Sequence, residues 1–143
     1  MTLDWDAFKT WSILVVEDEP DNAELIVGTV QFYGATVKSA EHGAEALEIL
    51  KEFTPTLILA DLSMPKMDGW IMRSRLKDDP RTAHIPVVAI SAHAMEGDKE
   101  KALAAGFDGY LSKPINIVSF VRDLRAAMEE KAALIRPQET GHS

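Results

Sequence analysis

The sequence contains no cysteine, no long apolar run and no cluster of basic residues. Without cysteine there are no disulfide bonds and no thiolate metal sites, which is compatible with a cytoplasmic protein. No stretch approaches the roughly 20 apolar residues of a membrane-spanning helix, so we expect no membrane association. The net charge of −8 disfavours direct binding to nucleic acid, because the phosphate backbone is also negative.

The 143 residues have the size and the apolar content of one globular domain that buries its own core. We predict an N-terminal extension over residues 1–11, a domain over residues 12–135 and a polar, flexible tail over residues 136–143. The start at Met1 favours a complete chain over a domain excised from a larger protein, such as a hybrid kinase.

Aromatic residues recur at a spacing of three in the N-terminal extension, at Trp5, Phe8 and Trp11. This spacing is typical of a short amphipathic helical turn. The aromatic side chains either pack onto the domain, which is the interpretation we favour, or dock a partner.

Strand patterns alternate with helix patterns along the domain. Strands β1 to β5 are predicted at Ser12–Val16, Thr36–Ser39, Leu57–Ala60, Val87–Ser91 and Gly109–Ser112. Helices α1 to α5 are predicted at Pro20–Tyr33, Gly43–Phe53, Trp70–Lys77, Met95–Ala105 and Asn116–Ile135. Five βα units in a row predict an α/β fold, a parallel sheet with helices on both faces. Right-handed crossovers favour the flavodoxin-like strand order 2-1-3-4-5.

Charged and hydroxyl side chains stand at the carboxyl ends of four predicted strands. Glu17 and Asp18 follow β1, Asp61 follows β3, Ser91 ends β4 and Lys113 follows β5. These ends share one edge of a parallel sheet, which is where ligands bind in such folds. Converging carboxylates repel each other unless a cation lies among them. An oxygen-only set indicates a hard divalent cation such as Mg²⁺ rather than zinc.

Each of these residues also has an ordinary structural interpretation. Glu17 and Asp18 could cap the helix that begins at Pro20, Ser91 could cap a helix, and Lys113 could be a surface lysine. A carboxylate at the position of Asp61 can also attack phosphorus and form an aspartyl phosphate, a reaction that depends mainly on positioning and charge neutralisation.

The chain resembles the receiver domain of two-component response regulators over about Ile13 to Met128. The resemblance rests on five separated elements in the family's order: Glu17-Asp18, Asp61 with Met64-Pro65, Asp68-Gly69, Ser91-Ala92 and Lys113-Pro114. It implies a phospho-acceptor switch, phosphorylated by a sensor histidine kinase or a histidine phosphotransfer protein, that acts on a downstream protein target. It implies no enzyme beyond self-dephosphorylation.

The resemblance also implies a metal site around the phosphoacceptor, Asp61. Asp18, Asp61 and the backbone carbonyl of Ser63 would ligate Mg²⁺, or Mn²⁺ as a substitute, with Glu17 acting through water. Ser63 and His93 fall at positions that tune the lifetime of the phosphoryl group in this family.

Further residues match the family's response machinery. Lys113, Ser91 and Ala92 would contact the phosphoryl group, and Ser91 with Tyr110 would form the switch pair. Phosphorylation would then reorder the surface formed by α4, β5 and α5, through which a dimer could also form.

Three other functions remain as alternatives. A receiver module of a hybrid kinase or phosphorelay would shuttle the phosphoryl group onward. A haloacid-dehalogenase-type phosphatase is disfavoured, because it needs a second Asp where this chain has Ser63. A flavin-binding protein is disfavoured because Glu17 and Asp18 would repel a phosphate after β1.

Overall fold

The computed structural model describes residues 8–62, 69–91, 98–113 and 116–135. Strands and helices alternate, as predicted. The strands are β1 Ser12–Val16, β2 Thr36–Ala40, β3 Leu57–Asp61, β4 Val87–Ser91 and β5 Gly109–Ser112. The helices are α1 Pro20–Phe32, α2 Gly43–Ile49, α3 Gly69–Asp78, α4 Asp98–Ala104 and α5 Ile117–Ile135. None of the helices in these ranges is long and apolar enough to cross a membrane.

The five strands form one parallel sheet in the order β2-β1-β3-β4-β5, which confirms the predicted fold class and topology. Strands β3 and β4, which both lie in the interior of the sheet, are buried at every position. Their continuous apolar runs are typical of parallel strands covered by helices on both faces. The order of connection reverses between β1 and β3, so the carboxyl ends of these two strands border the crevice where ligands bind in such sheets.

Helices cover both faces of the sheet and create two apolar layers. One layer contains buried side chains of α2, α3 and α4, including Ala46, Met72 and Ala102. The other contains side chains of α1 and α5, including Ile26 and Leu124. Because successive residues of a strand point to opposite faces, β1, β3 and β4 contribute alternate side chains to the two layers.

The predicted end of α2 at Phe53 is wrong, because the helix ends at Ile49. Beyond it the backbone tightens, since the Lys51 N–H donates to the Glu48 carbonyl at 3.2 Å and the Glu52 N–H to the Ile49 carbonyl at 3.1 Å. These bonds have the tighter spacing of a 3₁₀ turn, which is common at the end of an α-helix.

Other predicted boundaries shift by one residue. Strands β2 and β3 each gain their last residue because the ladder hydrogen bonds continue past the predicted end. Helix α3 is one residue longer at each end than predicted. Tyr33 is the C-cap of α1 rather than its last helical residue, and Asn116 caps the start of α5. Helix α4 ends at Ala104 because the Ala105 N–H is shared between two carbonyls of the last turn, and the predicted start at residues 95–97 lies outside the described residues.

Two aromatic side chains of the N-terminal extension pack onto the domain. Phe8 is fully buried, and its ring centroid lies 4.4 Å from that of Trp11 and 6.0 Å from that of Tyr33. The Phe8 N–H donates to the Tyr33 carbonyl at 2.9 Å, which fixes the extension to the end of α1. Trp5 and the tail over residues 136–143 lie outside the described residues.

Candidate functional site

Backbone hydrogen bonds carry the sheet ladder one residue beyond three strand ends. The Glu17 N–H donates to the Ala40 carbonyl at 3.0 Å, and the Lys113 N–H donates to the Ser91 carbonyl at 2.9 Å. At the centre of the sheet, the Leu62 N–H donates to the Ile90 carbonyl at 3.0 Å. The residues that follow β1, β3 and β5 are therefore held by the rigid sheet, at its carboxyl edge.

Three carboxylates meet at this edge. Glu17, Asp18 and Asp61 each offer one oxygen to a cluster whose atoms all lie within 4.8 Å of one another. Glu17 and Asp61 are each only 3% exposed, whereas Asp18 is exposed to solvent. The structure therefore brings together the acids that follow β1 and end β3, as the sequence predicts.

The ammonium group of Lys113 bridges the two buried carboxylates. Its Nζ lies 2.9 Å from Glu17 Oε1 and 3.1 Å from Asp61 Oδ2. Of these two contacts, the one with Asp61 has the alignment of a hydrogen bond, and among the described residues no donor is directed at the buried Glu17 Oε1. One cation is thus shared by two buried anions.

This shortage of positive charge shifts the pKa values of Glu17 and Lys113. The pKa of Glu17 is raised to about 7, first by burial and then by the neighbouring Asp61, while Lys113 and the Glu19 N–H oppose the shift. Burial alone would lower the pKa of Lys113, but its contacts with Glu17 and Asp61 hold it above the ordinary value. Both groups respond to the same local excess of negative charge.

The donor set fits a divalent metal ion. Hard cations such as Mg²⁺ prefer carboxylate oxygens together with water and phosphate oxygens. The buried Glu17 Oε1, which has no aligned hydrogen bond, is an oxygen that such an ion or its water could satisfy. The carbonyl of Ser63, predicted as a further ligand, lies outside the described residues.

The alternative that Glu17 and Asp18 only cap α1 does not match the local geometry. The N-cap is Glu19, whose Oε1 accepts a hydrogen bond from the Asp21 N–H at 3.3 Å. Glu17 supports that turn through Oε2, which accepts from the Glu19 N–H at 3.2 Å. Asp18 is therefore left pointing at the cluster rather than at the start of the helix.

The predicted switch residues lie on the two strands beside the carboxylates. Ser91 is buried at the end of β4, opposite Ser112 of β5. Tyr110 is half-buried and packs against the layer that contains α2, α3 and α4. Ala92 and His93 lie outside the described residues, as does Ser63.

The direct pairing of Lys113 with Glu17 is the contact that sequence reasoning missed. The sequence places both residues at the same sheet edge. The family resemblance, however, implies that Lys113 contacts a phosphoryl group and that Glu17 contacts a metal-bound water. No local pattern indicates that an ammonium at the end of β5 reaches past Asp61 to a carboxylate after β1.

The family model of the response regulator receiver domain matches residues 13–125 of this chain. The chain belongs to this family. Among curated relatives, the polar-differentiation response regulator DivK of Brucella anthropi is 36% identical over 115 residues, which cover 80% of this chain and 94% of DivK.

Solved structures of receiver domains are similar to this chain. The receiver domain of a sensor histidine kinase from Pseudomonas aeruginosa, described with a magnesium ion coordinated in its active site cleft, has a TM-score of 0.75 and 28% identity. The alignment covers 83% of this chain and 98% of that domain. The receiver domain of a histidine kinase from Syntrophus aciditrophicus has a TM-score of 0.74 and 29% identity, with coverages of 84% and 91%.

Membership in the family establishes the general role. The chain is a receiver domain of a response regulator, a module of two-component signalling. Receiver domains generally act as switches rather than enzymes, bind Mg²⁺ at an acidic pocket, and interact with histidine kinases or phosphotransfer proteins and with downstream targets.

Proposed function

We propose that this receiver accepts a phosphoryl group on Asp61 in a Mg²⁺-dependent reaction. The donor is a sensor histidine kinase or a histidine phosphotransfer protein, and the phosphorylated form binds a downstream target. Mn²⁺ can replace Mg²⁺, the phosphoryl group is later lost by self-catalysed hydrolysis, and the protein works in the cytoplasm.

The observation that carries this proposal is the bridge of Lys113 between Glu17 and Asp61. A buried carboxylate beside a fixed ammonium, with two further carboxylates within 4.8 Å, is suited to reaction with an anionic donor once a divalent cation balances the charge. Phosphoryl transfer needs positioning and charge stabilisation more than acid–base groups.

The reaction needs few chemical steps from the protein. An oxygen of Asp61 forms the new O–P bond while the P–N bond of the phosphohistidine breaks, and the leaving imidazole nitrogen takes the electron pair. Lys113 stabilises negative charge on the phosphoryl oxygens, Ser91 donates a hydrogen bond to one of them, and the small side chain of Ala92 leaves room for the group to enter. Asp18, Asp61 and the Ser63 carbonyl would hold Mg²⁺, which would supply neutralisation of the negative charge at the site.

The switch follows from the change in charge at Asp61. A phosphoryl group draws Lys113 and the Ser91 hydroxyl toward it, and Tyr110 moves inward as the α4-β5-α5 surface rearranges. The negative charge added at Asp61 thereby shifts the equilibrium between two arrangements of the α4-β5-α5 surface. Dimerisation through this surface is one form of output, and Ser63 and His93 set how long the phosphoryl group survives.

A role as phosphoryl shuttle within a hybrid kinase or phosphorelay is the second candidate. It is supported by the similarity to receiver domains of histidine kinases, at 28% and 29% identity. Rapid return of the phosphoryl group from Asp61 to a phosphotransfer histidine would favour this role over a terminal switch.

Asp18→Asn weakens Mg²⁺ binding at least tenfold and slows phosphorylation in proportion, because a charged metal ligand is lost. Titration with MgCl₂, followed by isothermal calorimetry, measures the affinity. Asp21→Asn is the matched control, since Asp21 is an acid of the first turn of α1 that is not part of the cluster. Equal affinity of the Asp18 variant and the control contradicts the ligand assignment.

Lys113→Ala separates phosphorylation from the response. We expect the variant to be labelled by acetyl phosphate more slowly than the wild type but to show little change on the α4-β5-α5 surface, because the ammonium that follows the phosphoryl group is absent. Amide hydrogen exchange of α4 and β5, with and without the phosphoryl analogue beryllofluoride, measures the surface change. A full change in exchange in the variant is evidence against this role of Lys113.

A further inference from the structure

An open groove of about 680 Å³ runs along the outer side of α1. Leu25, Gly28, Phe32 and Tyr33 line most of it, and two acids, Asp21 among them, stand at its far end. Leu25 is 38% exposed and Phe32 is 61% exposed. The groove therefore presents apolar side chains to solvent on an otherwise acidic protein.

Gly28 makes a gap in the middle of this groove. Among the described residues, no atom lies within 4 Å of the position that a Cβ at Gly28 would take. Glycine inside a helix is less stable than alanine, and nothing in the packing of α1 requires it here. A missing side chain on an exposed helix face leaves room for a large side chain from elsewhere.

The groove ends where the N-terminal extension meets the domain. The Phe8 N–H donates to the carbonyl of Tyr33, and the ring of Phe32 packs edge-on against that of Tyr33 with centroids 5.2 Å apart. Residues 1–7 thus join the domain directly beside the groove. Seven extended residues span up to about 23 Å, and the stretch of α1 from Asp21 to Tyr33 is about 18 Å long.

The sequence of this segment has the pattern of a chain that covers an apolar surface. Leu3 and Trp5 alternate with Asp4 and Asp6. In an extended segment, alternate side chains point to opposite sides, so the two apolar residues face one way and the two acids the other. Because the segment is tethered at Phe8, its effective concentration at the groove is high even if each contact is weak.

We propose that residues 1–7 bind in the α1 groove of their own chain, with Trp5 over Gly28 and Leu3 near Leu25. In this arrangement Asp4 and Asp6 face solvent, away from the acidic end of the groove. The extension then covers most of the exposed apolar surface of α1, and any partner that uses this face of the domain must first displace it.

Disulfide trapping tests the proposal directly, because the chain contains no cysteine of its own. We expect the pair Leu3→Cys with Leu25→Cys to form an intramolecular disulfide at least tenfold faster than the control pair Leu3→Cys with Gln31→Cys. Gln31 is exposed on α1 and closer to Phe8 along the helix, but it does not line the groove. Equal rates, or a disulfide between two copies on a non-reducing gel, would overturn the proposal.

A stability measurement that needs no cysteine provides a second test. Gly28→Gln improves helix propensity, so it should raise the melting temperature when the groove is empty. We expect it to lower the melting temperature of the full chain, where it displaces Trp5, and to raise it in the Trp5→Ala background. The same shift in both backgrounds shows that Trp5 and Gly28 are not in contact and overturns the proposal.

Discussion

The Asp61→Asn protein gains no phosphoryl group under conditions that label the wild type. An amide lacks the anionic oxygen that attacks phosphorus, so the variant loses the group that forms the new O–P bond. Intact-protein mass after incubation with acetyl phosphate and Mg²⁺ measures the gain.

The same variant should keep its fold. Asn has nearly the volume of Asp, and Lys113 retains Glu17 as a partner at 2.9 Å. Asp123→Asn, a change of the same kind on the exposed side of α5, is the control and should be labelled like the wild type. Labelling of the Asp61 variant to the wild-type level would show that the phosphoacceptor is another residue.

Glu17→Gln should stabilise the metal-free protein above neutral pH and weaken Mg²⁺ binding. In the folded state Glu17 keeps its proton up to about pH 7 because its pKa is raised, whereas an ordinary glutamate carboxyl has a pKa of 4.5. The contribution of Glu17 to stability is therefore fully present below pH 4.5, declines as the pH rises, and is lost above pH 7. Glutamine does not ionise, so it avoids that loss.

The expected gain is about 1–3 kcal/mol in the free energy of unfolding at pH 8. Each pH unit between the folded and unfolded pKa of Glu17 is worth about 1.4 kcal/mol. The loss of the pairing with Lys113 offsets part of this gain. Urea unfolding at pH 5 and pH 8, in EDTA, measures the difference. The gain should shrink toward pH 5. Glu48→Gln, on the exposed face of α2, is the matched control for a Glu-to-Gln change away from the site. A gain that does not change with pH contradicts the buried, raised pKa of Glu17.

The sheet and the carboxylate cluster could be predicted from the sequence for a physical reason. The strands β1, β3 and β4 are buried on both faces, so they are continuous apolar runs that end sharply at Glu17, Asp61 and Ser91. Since parallel strands share one carboxyl edge, the strand ends alone place these side chains together.

Contacts between side chains from distant elements could not be predicted in this way. The apolar pattern predicts too late an end for α2, because Leu50 and Phe53 continue the pattern while the backbone tightens into a 3₁₀ turn. Arg73 of α3 is only 4% exposed and its Nε donates to the Gly106 carbonyl at 2.9 Å, although nothing in the sequence marks a buried arginine there. Burial lowers its pKa, and Asp108 partly compensates.

The central claim is that this site carries a Mg²⁺-dependent phosphoryl group on a carboxylate. The most direct test is the intact mass of the wild-type protein after incubation with acetyl phosphate, in Mg²⁺ and in EDTA, followed by treatment with hydroxylamine, which cleaves acyl phosphates. We predict a gain of one phosphoryl group in Mg²⁺, none in EDTA, and loss of the group with hydroxylamine. An equal gain in EDTA, or a phosphoryl group that resists hydroxylamine, would contradict the account.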